Sequence, residues 1–373
     1  MTLLWLSWRD IKNPTAGGAE KLAIEVCSRL VRDGVKVTLF TSSFGQGKTR
    51  EVKSGVQILR SGNRLTCRFH AFFYWRAHPD FDLIIDEINT IPAFSIFYAR
   101  KKVVTLIHQL AREYWWSETF FPLNLVGYLA EPLYLALYRQ IPTLTVSAST
   151  KSDLVKLGFS KIKIIREGLD FKPQLSALRH SDPELVEGEE SLILFIGRLT
   201  RPKGPQDAVV AFKIINDRLP ATRLVIIGKG PRLFTQKLKK LTQKLALVDK
   251  VKFAGFVSQK EKINLLKKAK MILIPSVREG WCLVATEANA LGCVPIGYDA
   301  PGLRDSIKNN QTGFLTAKNP AALAESAIRV LKDDSLRSKL ERGGYHFAQK
   351  FSWDNTYEDF KKALGDKLLK ASH

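Results

Sequence analysis

Short apolar runs alternate with longer amphipathic stretches along most of the 373-residue chain. A short apolar run bounded by turn residues is typical of a buried strand, and stretches rich in Ala, Leu, Glu and Lys favour helix. Strands that alternate with helices predict parallel sheets covered on both faces. The predicted strands are residues 3–6, 35–40, 82–88, 103–107, 143–146, 162–165, 192–196, 224–227, 251–254, 271–274, 294–297 and 314–315.

The periodicity is lost between residues 171 and 190, where Pro, Ser and acidic residues accumulate. Such a change of composition indicates an interdomain linker, and the chain is long enough for two domains of ordinary size. We therefore predict a first α/β domain over residues 1–171, a linker over 172–190 and a second α/β domain over 191–350.

One stretch of the second domain, residues 271–292, combines a buried strand, a polar turn and the start of a helix. Backbone N–H groups and the positive end of the helix dipole favour an anion at such a turn, and a phosphate or diphosphate fits there. Glu279 lies in the turn and Glu287 on the helix, roughly 9 Å apart along the axis at ~1.5 Å per residue. One carboxylate could contact the sugar of a diphosphate-containing ligand and the other its ribose. It is equally consistent with the sequence that Glu279 is only a charge at the helix start and Glu287 only part of a solvated helix face.

A second loop, Gly197 to Gly204, follows another predicted strand of this domain. Arg198 and Lys203 bracket its tight turn, where two fixed cations would stabilise the charge of a leaving diphosphate without a metal. The alternative is two solvated surface cations, which is the default for any one Lys or Arg in so basic a chain.

Two features of the first domain carry candidate chemistry. Gly17 and Gly18 open the first predicted helix, where the backbone can approach an anion closely, although a simple helix-start turn explains them as well. His108 follows a predicted strand at the sheet edge where ligands collect in parallel sheets. A lone histidine at such a place is also commonly a structural hydrogen-bonding residue.

The motif REGWCLVATEANALG at residues 278–292 resembles the E-x7-E region of the family 4 glycosyltransferases, the retaining enzymes of GT-B fold. WRDIKNPTAGGAE, the His108-Gln109 and Arg112-Glu113 pairs, FIGRLTRPKG and FSW resemble other motifs of that family in the same order. The resemblance covers nearly the whole chain. It implies two Rossmann-like domains with parallel sheets facing a central cleft, and a closing helix, residues 354–373, that crosses back to the first domain.

The resemblance also implies a function. The chain would transfer a hexosyl unit from a nucleotide-diphosphate sugar to a saccharide or lipid-linked acceptor in cell-surface glycan synthesis, with retention at the anomeric carbon. Glu279 and His108 would be the catalytic residues in contact with the sugar. The donor-binding residues it implies are Gly17, Gly18, Arg198, Lys203, Gly230, Val257, Gly280, Trp281, Cys282, Leu283, Val284 and Glu287. Cys282 stands where the family has Gly, and Glu167 where it has Asn.

The composition restricts the class of binding partner and the cellular compartment that we expect. The net charge of +22 suits an anionic partner such as a nucleotide or a membrane surface. The four cysteines are scattered and predict free thiols of a reducing compartment. We find no Asp-x-Asp pair or histidine cluster placed for a metal, and we expect neither a metal nor a cofactor. The first residues do not predict a signal peptide, and no apolar run reaches the ~18 residues of a membrane span. We expect a cytoplasmic protein, with the inner membrane face as an alternative site.

Two aromatic segments interrupt the α/β pattern, residues 64–78 and 113–138. Aromatic residues flanked by Arg can anchor at a membrane interface, which favours peripheral contact; an acceptor-pocket wall or ordinary core is the alternative. No RNA- or DNA-binding motif is present, so we expect no nucleic-acid partner. The alternatives to an enzyme are a non-catalytic nucleotide-sugar or polyanion-binding protein and, less favoured, a basic nucleic-acid-binding protein.

Overall fold

The computed structural model describes residues 1–174 and 190–365, so most of the predicted linker and the end of the predicted last helix lie outside the described residues. The chain divides into two compact units. The first comprises residues 1–115, 121–170 and 351–365, and the second comprises residues 116–120, 171–174 and 190–350.

The first unit is built on an eight-stranded sheet in which all neighbours but one pair are parallel. Its strands are β1 (Thr2–Leu6), β2 (Lys36–Thr41), β3 (Arg50–Lys53), β4 (Val56–Arg60), β5 (Leu83–Glu87), β6 (Val103–Ile107), β7 (Thr143–Thr145) and β8 (Ile162–Ile164). They lie in the order β3-β4-β2-β1-β5-β6-β7-β8. Every residue of β5 and β6 is buried, because helices cover both faces.

The antiparallel pair, β3 and β4, is a hairpin that the sequence analysis did not predict. Ser54 and Gly55 form its turn and both have positive φ, +50° and +79°. Two consecutive residues of this kind are typical of the tight turns whose twist matches two antiparallel strands. The charged sequence of β3 hid the strand from a search for apolar runs.

The helices of this part of the chain are α1 (Gly18–Arg32), α2 (Cys67–Ala77), α3 (Ile96–Ala99), α4 (Glu113–Glu118), α5 (Leu123–Ala136), α6 (Ala148–Lys156) and α14 (Trp353–Leu364). The last of these packs on the first unit although it follows the second unit in the sequence. Phe360 is fully buried and stacks on Trp5 with ring centroids 5.9 Å apart. Tyr357 donates a 2.6 Å hydrogen bond to Asp33, which follows α1.

The second unit contains a six-stranded, wholly parallel sheet. Its strands are β9 (Ser191–Ile196), β10 (Thr222–Ile227), β11 (Val251–Gly255), β12 (Met271–Ile274), β13 (Val294–Tyr298) and β14 (Phe314–Thr316). Their order, β11-β10-β9-β12-β13-β14, is that of a dinucleotide-binding Rossmann sheet. The helices are α7 (Pro205–Arg218), α8 (Arg232–Lys244), α9 (Gln259–Lys268), α10 (Leu283–Ala290), α11 (Leu303–Ser306), α12 (Pro320–Lys332) and α13 (Asp334–Ala348).

Each unit has its own core of buried apolar side chains. Phe212 of α7 and Tyr298 of β13 are among the largest fully or almost fully buried side chains of the second unit. Tyr138 is among the largest fully buried side chains of the first unit. The predicted architecture of two α/β domains with parallel sheets is confirmed, apart from the unpredicted hairpin.

Candidate functional site

In the second sheet, the strands that follow β9 in the chain are added first on one side of β9 and then, from β12 onward, on the other side. Ligands of open α/β sheets bind at such a switch point, outside the carboxyl ends of the strands. The loops that follow these two strands touch there. Val277 donates its backbone N–H to the Pro202 carbonyl at 2.9 Å. Gly204, at φ +68°, lies so close to Pro275 that a Cβ atom would meet the Pro275 carbonyl oxygen at 2.2 Å. Glycine is therefore required for the two loops to meet.

The backbone of Glu279 is fixed from a third loop, which follows β13. Its N–H donates to the Pro301 carbonyl at 2.9 Å. Gly302, at φ +80°, packs against the Glu279 carbonyl, where a Cβ atom would come within 2.2 Å of the oxygen. The carboxylate is thus carried by a backbone that cannot shift easily.

Lys203 and Glu279, both predicted from the sequence, form an ion pair. The Lys203 ammonium lies 2.6 Å from each carboxylate oxygen of Glu279. The two side chains are only 19% and 11% exposed, so the attraction is screened less than at the surface. The pair places a fixed cation beside the turn that leads into α10.

The turn itself holds the other predicted residues of this region. Cys282 precedes α10 in a left-handed backbone conformation, φ +78° and ψ +72°. Trp281 is buried and donates from Nε1 to the Thr286 hydroxyl at 2.9 Å. Half-buried Gly280 precedes them, and half-buried Leu283 and Val284 begin the helix. The first turn of a helix has N–H groups that the helix itself does not use, which suits an anionic ligand.

Glu287 on α10 is buried and paired, which excludes the solvated helix face considered above. Both of its carboxylate oxygens accept from Lys262 of α9, at 2.7 and 2.8 Å. Nothing in the sequence pointed to Lys262, because the contact depends on how α9 packs beside α10.

Glycines also bring the neighbouring loops together. A Cβ atom on Gly228 would lie 1.8 Å from the Gly197 carbonyl oxygen, and one on Gly230 would lie 2.1 Å from that of Leu199. Arg198 lies half-buried in the same loop, and Val257, which follows β11, is a buried member of the core.

The predicted glycines of the first unit lie at the start of α1. Gly17 precedes the helix and donates its N–H to the Glu20 carboxylate at 2.6 Å, and Gly18 is the first helical residue. Glu20 is buried and also pairs with Arg9 at 2.7 Å. A carboxylate of the chain itself thus occupies the N–H group that the sequence analysis offered to a ligand.

His108 follows β6 and is buried between two carboxylates. Its Nε2 lies 3.3 Å from Glu87, the last residue of β5, and its Nδ1 lies 3.7 Å from Glu167. Burial would lower the pKa of His108, but the carboxylates of Glu167 and Glu87 raise it to about 10. Glu87 was not predicted. Glu167 was noted only because the residue differs from the expected Asn.

The first sheet also reverses its strand order, between β1 and β5, and a small pocket lies there. Ser7 and Glu87 contribute polar atoms to its wall, and Arg68 contributes a guanidinium that donates to the carbonyls of Ile91 and Pro92. The other lining residues are Leu6, Trp8, Phe40, Cys67, Ala71, Ile91 and Ala93.

Comparison with known families identifies both halves of the chain. The profile "Glycosyltransferase Family 4" matches residues 16–172, and the profile "Glycosyl transferases group 1" matches residues 179–347. The chain belongs to the family 4 glycosyltransferases.

Curated relatives of this family 4 chain are about a third identical to it over the aligned residues. An uncharacterized glycosyltransferase of Methanocaldococcus jannaschii is 33% identical over 233 residues, which cover 60% of this chain and 59% of that protein. A D-inositol 3-phosphate glycosyltransferase of Acidothermus cellulolyticus is 31% identical over 219 residues, 56% of this chain and 48% of that protein. The chain thus spans about half the length of the curated relatives it matches.

Solved structures support the fold over the full length of this family 4 chain. The sucrose-phosphate synthase of Thermosynechococcus elongatus superimposes with a TM-score of 0.82 at 20% identity and full coverage of both chains. HepE of Anabaena, solved in complex with UDP-glucose, gives 0.75 at 20% identity, covering 98% of this chain and 99% of that one.

Two further observations concern metals and membranes. Among residues 1–174 and 190–365, no group of three or more His, Cys, Asp or Glu side chains is placed to hold a metal ion. Within the same residues, every helix is too short or too polar to cross a bilayer. The four cysteines are buried free thiols.

Proposed function

We propose that this family 4 protein transfers a hexosyl unit from a nucleoside-diphosphate sugar to a saccharide or lipid-linked acceptor, with retention at the anomeric carbon and without a metal. The observation that carries the proposal is the Lys203–Glu279 ion pair beside the start of α10, at the switch point of the second sheet. A cation, a carboxylate and a helix N-terminus at one place suit the diphosphate and the sugar of such a donor.

In this proposal each charged group has one role. Lys203, with Arg198 in the same loop, stabilises the charge that the diphosphate gains as the glycosidic bond breaks. Glu279 accepts hydrogen bonds from sugar hydroxyls. Glu287, held by Lys262, accepts from the ribose hydroxyls, and His108 of the first unit contacts the transferred sugar.

An exposed apolar stripe on α5 supports a membrane-bound acceptor. Val126, Leu129 and Leu133 are 58%, 59% and 72% exposed, while Gly127, Glu131 and Leu135 of the same helix are buried. A helix with one buried side and a second, exposed apolar stripe can lie in the headgroup region of a membrane. The net charge of +22 favours an anionic one. We therefore propose that the acceptor is lipid-linked and that the protein works on an anionic membrane surface.

The test of the donor assignment is turnover of UDP-, GDP-, ADP- and TDP-glucose, measured as release of nucleoside diphosphate with and without EDTA. One donor should be consumed, equally well with the chelator present. Lys203→Ala should lower kcat/KM for that donor about 100- to 1,000-fold, the usual effect of removing one group that stabilises transition-state charge.

Lys213→Ala is the matched control, because Lys213 is a lysine of the same unit paired with exposed Asp217 at the surface. It should leave turnover unchanged. Full activity in both Lys203→Ala and Glu279→Ala would show that the assigned roles are wrong. Tight binding of a nucleotide sugar with no turnover on any acceptor would identify a binding protein instead.

A further inference from the structure

The surroundings of His108 contain more negative charge than a neutral ring can use. Its two ring nitrogens face the carboxylates of Glu87 and Glu167 at 3.3 and 3.7 Å, and all three residues are at most 6% exposed. A neutral imidazole has one N–H donor and one acceptor nitrogen. One carboxylate would then face a lone pair, which is repulsive in a buried site. Only the doubly protonated ring offers an N–H group to both.

Glu87 is held in place by donors of its own. Trp5 donates from Nε1 to one carboxylate oxygen at 2.6 Å, and Asn89 donates its amide to the other at 3.1 Å. These hydrogen bonds fix the orientation of the Glu87 carboxylate. The nearby Cys27 thiol on α1 adds no charge, because burial and the Glu87 carboxylate raise the pKa of Cys27 well above its usual range.

Helix α6 also contacts His108, because the Thr150 hydroxyl donates to the His108 carbonyl at 3.0 Å. This contact fixes the backbone without charge. Among the residues that the structure describes, Glu87 and Glu167 are the carboxylates that face the ring nitrogens.

We propose that Glu87 and Glu167 are positioning residues that hold His108 as an imidazolium, so that this chain presents a fixed positive charge at the carboxyl end of β6. The inference rests on the proposed function for the role of that charge, which would lie beside the transferred sugar. It assigns a purpose to Glu167, the acid that stands where the resemblance implies Asn.

Two effects of pH follow. A folded-state pKa near 10, above the ~6.5 of a free histidine, means that the cluster contributes its full stability below about pH 6.5. That contribution is lost as the pH rises through the folded-state value. The positive charge of His108 should therefore persist throughout the neutral range.

The direct test is an NMR titration of the ring nitrogens of 15N-histidine-labelled full-length protein, with His108→Gln to assign the signal. His108 in the wild type should remain doubly protonated to at least pH 9. Glu167→Gln, which keeps the shape of the side chain, should lower the pKa of His108 by roughly 1–3 units, the usual effect of one adjacent opposite charge. Glu325→Gln, in an exposed ion pair with Arg218, is the control and should leave it unchanged.

Turnover supplies the second readout. With the donor selected above, wild-type kcat/KM should show no alkaline decrease due to His108 below pH 9, and Glu167→Gln should acquire one at its new pKa. A wild-type ring that is singly protonated at pH 8, or an unchanged titration in Glu167→Gln, would overturn the inference. High pKa values in a protein that turns over no donor would refute the proposed function and leave the ion cluster established.

Discussion

Cys282 begins α10 with a left-handed backbone, φ +78° and ψ +72°, and its side chain is almost fully buried. For a residue with a Cβ atom this conformation costs roughly 1–2 kcal/mol, whereas glycine adopts it freely. The resemblance implies glycine at this position, and the backbone geometry gives the physical reason.

This strain can be measured by comparing two variants that both remove the thiol. Cys282→Gly should be more stable than Cys282→Ala by roughly 1–2 kcal/mol, because only alanine retains the strained Cβ. Urea unfolding followed by circular dichroism gives both free energies of unfolding. Equal stabilities, or a more stable alanine variant, would show that the left-handed conformation carries no cost here.

At the site of the second unit, the sequence predicts which residues take part more readily than it predicts which residues they contact. Lys203 and Glu279 were both singled out, since each follows a recognisable strand, but their pairing required the loops after β9 and β12 to meet. Glu87 and Lys262 gave no signal at all. Their roles arise from strand and helix neighbours far apart in the sequence, which no local pattern specifies.

At the scale of elements, apolar runs located the other strands closely, and they failed at the β3–β4 hairpin, whose strands contain polar and charged residues. The β3 strand alternates half-buried and exposed residues at the edge of its sheet, so it lacks an apolar run. Helix α5 presents the opposite case. Its sequence is apolar almost throughout, and only the structure separates the buried side from the exposed stripe.

The exposed stripe of α5 leads to a prediction about membrane binding. The double variant Leu129→Ser/Leu133→Ser should bind vesicles of anionic phosphatidylglycerol mixed with phosphatidylcholine at least about tenfold more weakly, since each buried leucine contributes roughly 1.5–3 kcal/mol and 1.4 kcal/mol is a factor of ten. Co-sedimentation at low salt measures the binding.

Leu233→Ser on α8 is the matched control, because Leu233 is 74% exposed but lies in the second unit. It should sediment with the vesicles as the wild type does. Wild-type protein that stays in the supernatant, or equal binding by the double variant, would argue against the membrane-facing role of α5.

At the scale of the whole molecule, two sheets with separate cores carry different parts of the proposed reaction. Binding of a nucleoside diphosphate at 100 times its Kd should stabilise the unit that holds it by roughly 2.7 kcal/mol. Lys203, Glu279 and Glu287 all belong to the second unit, so that unit should show the effect.

Phe360→Ala tests this separation. Removing a buried phenylalanine typically costs about 3–5 kcal/mol, so the first unit should melt earlier in differential scanning calorimetry. The shift caused by the nucleoside diphosphate in the second unit should remain. Phe97→Ala, which truncates a 70% exposed phenylalanine of the first unit, should change neither. Loss of the nucleotide shift in Phe360→Ala would contradict the assignment.

The position of α14 in the chain also matters while the protein is being made. A ribosome releases the strands of the first sheet early, but Phe360, which stacks on Trp5, emerges only after the whole second unit. During that interval the indole of Trp5 lacks its stacking partner, although the surrounding strands can already pair. The first unit of the nascent polypeptide therefore lacks α14 until the second unit has been synthesised.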